Sequence, residues 1–352
     1  MRFNNKKITT MLGLLPEMES YFDDEIGNYS FTEKQSMRLK KVMGYNCHRL
    51  SKESTTVSDF AIYGINYMFA NNWINRNEIG AIVVVSLCPD YFVPHISNII
   101  QAECGFGENI ICLDIAQGCC GFLVGLMQSF MLLEHIDKKV LLVNGDVISH
   151  KVSRRDRNDY PLIGDAACIT VLENSESSPI YFEMNTDGKR RNALIIPAGG
   201  FKMPCNIETA KVKMDSEGNY RSLDNICMDG SEVFNFVQSD VSKMLKDAFD
   251  SEHKTIEDFD YFFFHQPNKF MLKKLAQKVG IPFDKFPMNL VENFGNPSGA
   301  SIPMTAIFNA RDELINKNNS CCLSAFGSGL AWGVVFMDIG NLNNCEIIES
   351  DL

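Results

Sequence analysis

Leu113-Asp114-Ile115-Ala116-Gln117-Gly118-Cys119-Cys120-Gly121-Phe122 decides how this chain reads, because it passes from an apolar strand through a glycine-bounded turn into a long apolar helix. Strand, turn and helix in that order are a unit of α/β architecture. Cys119 falls at the helix N-terminus, where unpaired N–H groups and the helix dipole favour the thiolate that attacks thioesters. Gly118 and Gly121 allow the sharp turn and close packing of the helix. The plainer alternative is that Cys119 and Cys120 are small buried hydrophobes, as most free cysteines are.

The same grammar extends outward in both directions. Short apolar runs predict buried strands over 8–15, 81–86, 110–115, 140–144, 168–172, 261–264, 286–290, 321–325 and 333–338. Amphipathic spacing predicts helices over 57–71, 121–135, 231–249 and 269–279. The order helix, strand, helix, strand, glycine-rich turn, helix, strand occurs twice. Ser86 to Cys119 spans 33 residues and His265 to Asn296 spans 31, which points to an internal duplication with halves 1–175 and 176–352. Ligands of α/β proteins gather beyond the carboxyl ends of strands, and Cys119, His265, Asn296 and Gly327 each follow an expected strand. They are therefore expected to converge on one site. Singly, His265 after Tyr261-Phe262-Phe263-Phe264 also reads as a core histidine satisfied locally. Asn296 also reads as a turn residue or helix cap.

Composition bounds the function. At 352 residues the chain exceeds one compact domain, and 45% hydrophobic with 22% charged residues excludes a disordered one. A net charge of −11 gives no general attraction to nucleic acid or to an anionic membrane. Twelve cysteines scattered through apolar runs predict a reducing, cytoplasmic setting, not a disulfide scaffold. Lys6-Lys7 and the apolar run after them superficially suggest a signal peptide, but Pro16-Glu17 closes the run without a small-residue cleavage site, so a first strand is expected there. No stretch approaches the roughly 20 apolar residues that span a bilayer.

Five motifs in order carry a family resemblance: Asp114-Ile115-Ala116 through Gly121-Phe122; Gly164-Asp165-Ala166-Ala167; His265-Gln266-Pro267-Asn268; Gly295-Asn296-Pro297-Ser298-Gly299-Ala300-Ser301-Ile302-Pro303; and Ala325-Phe326-Gly327-Ser328-Gly329 through Trp332-Gly333. Together they resemble β-ketoacyl-acyl-carrier-protein synthase III, a condensing enzyme. The resemblance implies a five-layered α-β-α-β-α thiolase fold with mixed sheets, two related halves and a homodimer. It implies Cys119, two residues before the Gly-Phe pair, as acyl-accepting nucleophile, with His265 and Asn296 as its polar partners. The Gly327-Ser328-Gly329 loop would help hold an oxyanion, and Phe92 would lie near the dimer interface and the partner's acyl pocket. Arg157, Asn268 and Lys269 would help bind coenzyme A or the carrier protein. Coenzyme A or phosphopantetheine thioesters are implied as substrates, with acyl carrier protein as partner and no metal or tightly bound cofactor.

Departures narrow this. The tryptophan on which the family stacks adenine is absent near Arg38, and Phe270 replaces the usual basic residue after the His-Gln-x-Asn segment. An acidic carrier protein would need a basic rim, for which Arg154, Arg155, Arg157, Lys269, Lys273 and Lys274 are candidates. A same-fold acyltransferase delivering the acyl group to an amine or hydroxyl is the competing reading. The retained Asn296 favours condensation, since enolate formation needs a second donor. Leu87-Cys88-Pro89-Asp90 lacks the glutamate of hydroxymethylglutaryl-coenzyme A synthases, and Ala325-Phe326-Gly327 lacks the second cysteine of thiolases. A catalytically silent subunit would be favoured only if one of Cys119, His265 or Asn296 were missing.

Overall fold

Ala81 through Val85 are all buried, as expected of a strand covered on both faces, and their side chains split by the two-residue period of a sheet. Ala81, Val83 and Val85 join the largest core cluster, whereas Ile82 and Val84 join another. That alternation sets the layers. The computed structural model describes residues 1–352. Its sheets use β1 (Arg2–Phe3), β2 (Lys6–Pro16), β3 (Ile79–Val85), β4 (Ile111–Ile115), β5 (Lys139–Asp146), β6 (Ala166–Asn174), β7 (Ile180–Thr186), β8 (Tyr261–Phe264), β9 (Asn318–Gly327), β10 (Ala331–Gly340) and β11 (Asn344–Ser350). The principal helices are α1 (Val57–Ala70), α2 (Ile96–Glu103), α3 (Gly121–Leu133), α4 (Ser242–Ser251), α5 (Lys269–Val279) and α6 (Ser301–Asn316).

One sheet has the order β11-β2-β6-β5-β3-β4, the other β1-β7-β10-β9-β8. Within each, the first strand of the half pairs antiparallel with the last, the last pairs antiparallel with the one before it, and that one pairs parallel with the second. Phe122, Leu126 and Phe130 of α3 and Ile302, Met304 and Ile307 of α6 fill the space between the sheets, against Val83, Leu142, Phe263 and Leu323. Phe60 and Ile65 of α1 and Ile100 of α2 cover one outer face, and Leu245, Leu272 and Leu275 cover the other. The result is five layers, α-β-α-β-α. The expected boundary at 175 falls between β6 and β7, and both chain ends cross it: β1 pairs with β7, and β11 pairs with β2.

One expected strand is absent. Residues 286–290 form no ladder, and the second sheet lacks the counterpart of β4. Pro287 has no N–H to donate, and the free edge beside it is met by a side chain: Gln266 Nε2 donates to the Phe264 and Pro287 carbonyls, both at 3.0 Å. Phe286 still packs on Phe264, with ring centroids 4.9 Å apart. The helix expected over 231–249 is Gly230–Phe236 and α4 joined through a π-turn, Val237–Val241. Residues 187–229, between β7 and that helix, make small antiparallel pairs, Leu194–Ile195 with Cys227–Met228 and Lys213–Met214 with Tyr220–Arg221. No helix is long and apolar enough to cross a membrane, and all twelve cysteines are free thiols.

Candidate active site

Cys119 sits where β4 hands over to α3. Asp114, near the end of β4, fixes this corner by accepting from the N–H groups of Ile96 (2.7 Å) and Ser97 (3.0 Å) at the start of α2. Gly327, at the end of β9, lies so close that a Cβ built on it would fall 2.4 Å from Cys119 Cβ and 2.7 Å from its Sγ. Only the absence of a side chain at 327 leaves room for the cysteine. Ser328 follows, and its N–H, that of Cys119 itself and the Ser298 hydroxyl face the sulfur and favour its charged form. They do not prevail. Burial first, and then the Asp146 carboxylate, push the thiol up to about 11, the opposite of the shift expected from the helix terminus alone.

Asn296 is placed by a close backbone approach. Gly164 and Gly295 touch, since a Cβ on Gly295 would lie 2.6 Å from the Ile163 carbonyl and 2.7 Å from Gly164 Cα. Asn296 N–H then donates to the Leu162 carbonyl at 2.8 Å, and Gly164 N–H donates to the Asn296 carbonyl at 3.2 Å. Its Oδ1 accepts from Ser298 N–H at 3.0 Å, which turns the amide Nδ2 into a free donor. His265 directly follows β8, with its N–H on the Ser324 carbonyl at 2.8 Å. Its Nδ1 is 2.7 Å from Ser301 Oγ, and its ring meets Phe326 edge-on at 5.7 Å between centroids. Burial lowers its pKa to about 3, against a smaller opposing pull from the Ser298 carbonyl, so the ring is neutral.

Cys119, Asn296, Ser298 and Ser328 line one cavity of about 340 Å³. Its remaining wall is Leu87, Ile148, Asp159, Leu162, Ile163, Leu194, Ile195, Ile196, Ile226 and Met228, so the 187–229 segment supplies much of it. His265 is not among the wall residues; its ring meets Ser301 Oγ and the carbonyl of Ser298, itself a wall residue. Gly329, with φ +139°, turns the chain from β9 into β10.

The other expected residues lie elsewhere. Asn268 caps α5, its Oδ1 accepting from Met271 N–H at 2.8 Å. Lys269 pairs with Glu292 at 2.6 Å. Arg157 is buried and turned inward: it donates to the Glu217 carbonyl and, at 2.9 Å, to Asn219 Oδ1, and its guanidinium lies 4.0 Å from the centre of the Phe31 ring. Phe92 is 68% exposed and packs on Phe201 at 5.3 Å between centroids. It lines a neighbouring groove of about 860 Å³ that shares Leu87, Ile148 and Ile196 with the Cys119 cavity. Arg154, Arg155, Lys273 and Lys274 are exposed.

Sequence reasoning passed over Asp146, Ser298, Ser301 and Asp159. Asp146 ends β5 in Asn144-Gly145-Asp146, so the strand-end rule that selected Cys119 and His265 also points to it. It is 1% exposed, accepts from Leu87 N–H (2.7 Å) and Ser86 Oγ (3.0 Å), and is raised to about 6 by burial.

Comparison with known proteins gives the family. Residues 113–188 match the sequence profile of 3-oxoacyl-(acyl-carrier-protein) synthase III, and residues 249–339 match that of its C-terminal part. A Campylobacter jejuni protein provisionally named 3-oxoacyl-(acyl-carrier-protein) synthase 3 is 29% identical over 350 residues, covering 99% of this chain and 98% of its own. The β-ketoacyl-(acyl-carrier-protein) synthase III of Natranaerobius thermophilus is 30% identical over 296 residues, covering 82% and 87%. The crystal structure of a 3-oxoacyl-(acyl-carrier-protein) synthase from Burkholderia xenovorans superposes with a TM-score of 0.91 at 30% identity, covering 99% of this chain and 98% of that one. With the five layers and the cysteine at the strand-to-helix turn, these matches establish that the chain belongs to the 3-oxoacyl-(acyl-carrier-protein) synthase III family, acyltransferases of the thiolase fold.

Proposed function

We propose that this enzyme transfers an acyl group from acyl-coenzyme A or an acylated carrier protein to Cys119 and condenses it with malonyl-carrier protein to a β-ketoacyl product. The observation that carries the reading is the cavity shared by Cys119, Asn296 and Ser328, with neutral His265 in contact with its wall residue Ser298. In the first step Cys119 sulfur attacks the donor thioester, the donor thiol leaves, and the cysteine proton goes to that thiol. The N–H groups of Cys119 and Ser328 face the sulfur and are suited to hold the oxyanion.

In the second step the malonyl carboxylate leaves as carbon dioxide, and its electron pair forms an enolate at the thioester. Asn296 Nδ2 donates to that oxygen. In the tautomer in which the Ser301 hydroxyl donates to Nδ1, His265 carries its proton on Nε2 and would be the second donor. The enolate carbon then attacks the acyl carbonyl, the carbon–sulfur bond to Cys119 breaks, and the thiolate takes a proton from solvent. A neutral imidazole suits this role, because it donates without protonating the carbanion.

The repeated strand order supports two related halves, 1–175 with the cysteine and 176–352 with the histidine and asparagine. Exposed Tyr91, Phe92 and Val93 beside the cavity support a homodimer contact there. Arg154, Lys273 and Lys274 are exposed and suited to meet an acidic carrier protein, whereas Arg155 lies over the Tyr220 ring and Arg157 is engaged within the chain. A cytoplasmic setting accords with twelve free thiols. The test separates the half-reactions: His265→Ala should still load acyl groups on Cys119 but release no β-ketoacyl product to malonyl-carrier protein. Full condensation by that variant would contradict the assignment. Discharge of the acyl group to an amine or hydroxyl, with malonyl-carrier protein inert, would replace it with simple acyl transfer.

A further inference from the structure

The cavity that holds Cys119 has an apolar wall with one exception. Asn296, Ser298 and Ser328 belong to the reactive end, but Asp159 does not, and it is the sole ionisable wall residue besides the cysteine. Asp159 is 3% exposed, and its Oδ2 has no hydrogen-bond partner. Met228 N–H faces the carboxyl. The neighbouring cation is Arg221, whose Nη1 is 3.9 Å from Oδ2, beyond hydrogen-bond reach.

Arg221 is already committed. Its Nη2 is 2.6 Å from Asp215, and its Nε is 3.2 Å from Asp156. Three carboxylates thus share one guanidinium, and Asp159 is the least served of them. Burial, and after it Asp156, raises the Asp159 pKa, with Arg221 pulling the other way. Burial favours the protonated carboxyl, and one left short of partners in an apolar wall is costly to the empty protein unless something entering the cavity hydrogen-bonds to it.

We propose that Asp159 selects the acyl group: the cavity takes thioesters whose acyl chain carries a hydrogen-bonding group, a hydroxyl or an amine, in preference to plain alkyl chains. This rests on Cys119 as the acyl acceptor. At about 340 Å³ the cavity lies at the small end of ligand pockets, which suits a short chain. A site built to bond a substrate hydroxyl rejects the analogue that lacks it, because its own polar group is then left unpaired.

The experiment measures the rate of Cys119 acylation by intact-protein mass spectrometry. The probes are pantetheine thioesters of matched length: butyryl, 3- and 4-hydroxybutyryl, and 3- and 4-aminobutyryl. At least one donor-bearing chain should load on the order of tenfold or more faster than butyryl. Asp159→Leu should erase that ratio. Asp159→Asn, which keeps the shape, should retain a hydroxyl preference through its carbonyl and weaken an amine preference. Equal or faster loading of butyryl by the wild type overturns the inference, as does a ratio that both variants leave unchanged. No loading of the wild type by any probe or by acyl-carrier protein overturns the Cys119 reading itself; loading without selectivity overturns only the role of Asp159.

Discussion

Gly327→Ala tests the site's geometry at its tightest point. The added methyl would lie 2.4 Å from Cys119 Cβ and 2.7 Å from its sulfur, whereas ordinary contact begins near 3.4 Å. Cys119 or the end of β9 must therefore move by about 1 Å. Neither is a free side-chain end: Cys119 is held in the turn into α3, and Gly327 pairs with Ala331 in the ladder. A displacement of about 1 Å at a reacting atom costs on the order of a hundredfold in rate. Overpacking of this kind destabilises by about 1–3 kcal/mol, so the variant should still fold. The assay is single-turnover acylation of Cys119 followed by intact mass, with circular dichroism melting on the same samples. Gly188→Ala, where an added Cβ meets nothing within 4 Å, is the control and should match wild type in both. A folded Gly327→Ala protein that acylates within twofold of wild type would refute the packing of Cys119 against this loop.

Three further outcomes are expected. Asn296→Ala should lower the condensation step on the order of a hundredfold, as loss of one oxyanion donor does, while acylation persists; an equal fall in both half-reactions would assign Asn296 to the fold instead. Because only the thiolate is nucleophilic and the Cys119 thiol is pushed up to about 11, its alkylation by iodoacetamide, followed at the peptide level, should rise with pH without a plateau below pH 10. Asp146→Asn removes the adjacent negative charge and should move that profile to lower pH; a shift to higher pH would contradict the electrostatics. Glu25→Ala leaves His48 Nε2 (2.8 Å) and the Tyr29 hydroxyl (3.0 Å) without their acceptor, at about 1–3 kcal/mol for each buried orphan, measured by urea unfolding. Burial alone would raise the Glu25 carboxyl, but His48, Ser20 and Tyr29 bring it below its ordinary 4.5. Its contribution should therefore be complete above that pH and fade as pH falls through the lower folded value, so the difference between variant and wild type narrows in acid.

What was legible in the sequence follows physical lines. Strands buried on both faces, such as β3 and β5, are continuous apolar runs, and α5 has a capping Asn268 and a Gly280 stop (φ +94°), so its limits match expectation. The 286–290 run is apolar too, but periodicity does not show that Pro287 forfeits a ladder bond or that Gln266 takes the edge. The convergence of Cys119 and Gly327 was readable from strand ends; that of Asn296 was not, since the strand expected before it is absent and the contact of Gly164 with Gly295 places it instead. The sense of the Cys119 shift was not, since it depends on burial and on Asp146 arriving from another strand. Arg157, chosen for its position relative to Asp165, is drawn inward by Asn219 and Phe31, partners 62 and 126 residues away that no local pattern reveals. Asp159 and the 187–229 wall escaped because neither the turn around residue 159 nor that segment has a helical or a strand period.

The most direct test of the central claim is the stoichiometry of carbon dioxide released per acyl group discharged from Cys119 when the pre-acylated enzyme meets malonyl-carrier protein. One carbon dioxide for each acyl group lost, with a β-ketoacyl-carrier protein formed and no acylation of Cys119→Ser, is the predicted result. Discharge without carbon dioxide, or acylation that survives in Cys119→Ser, would contradict it.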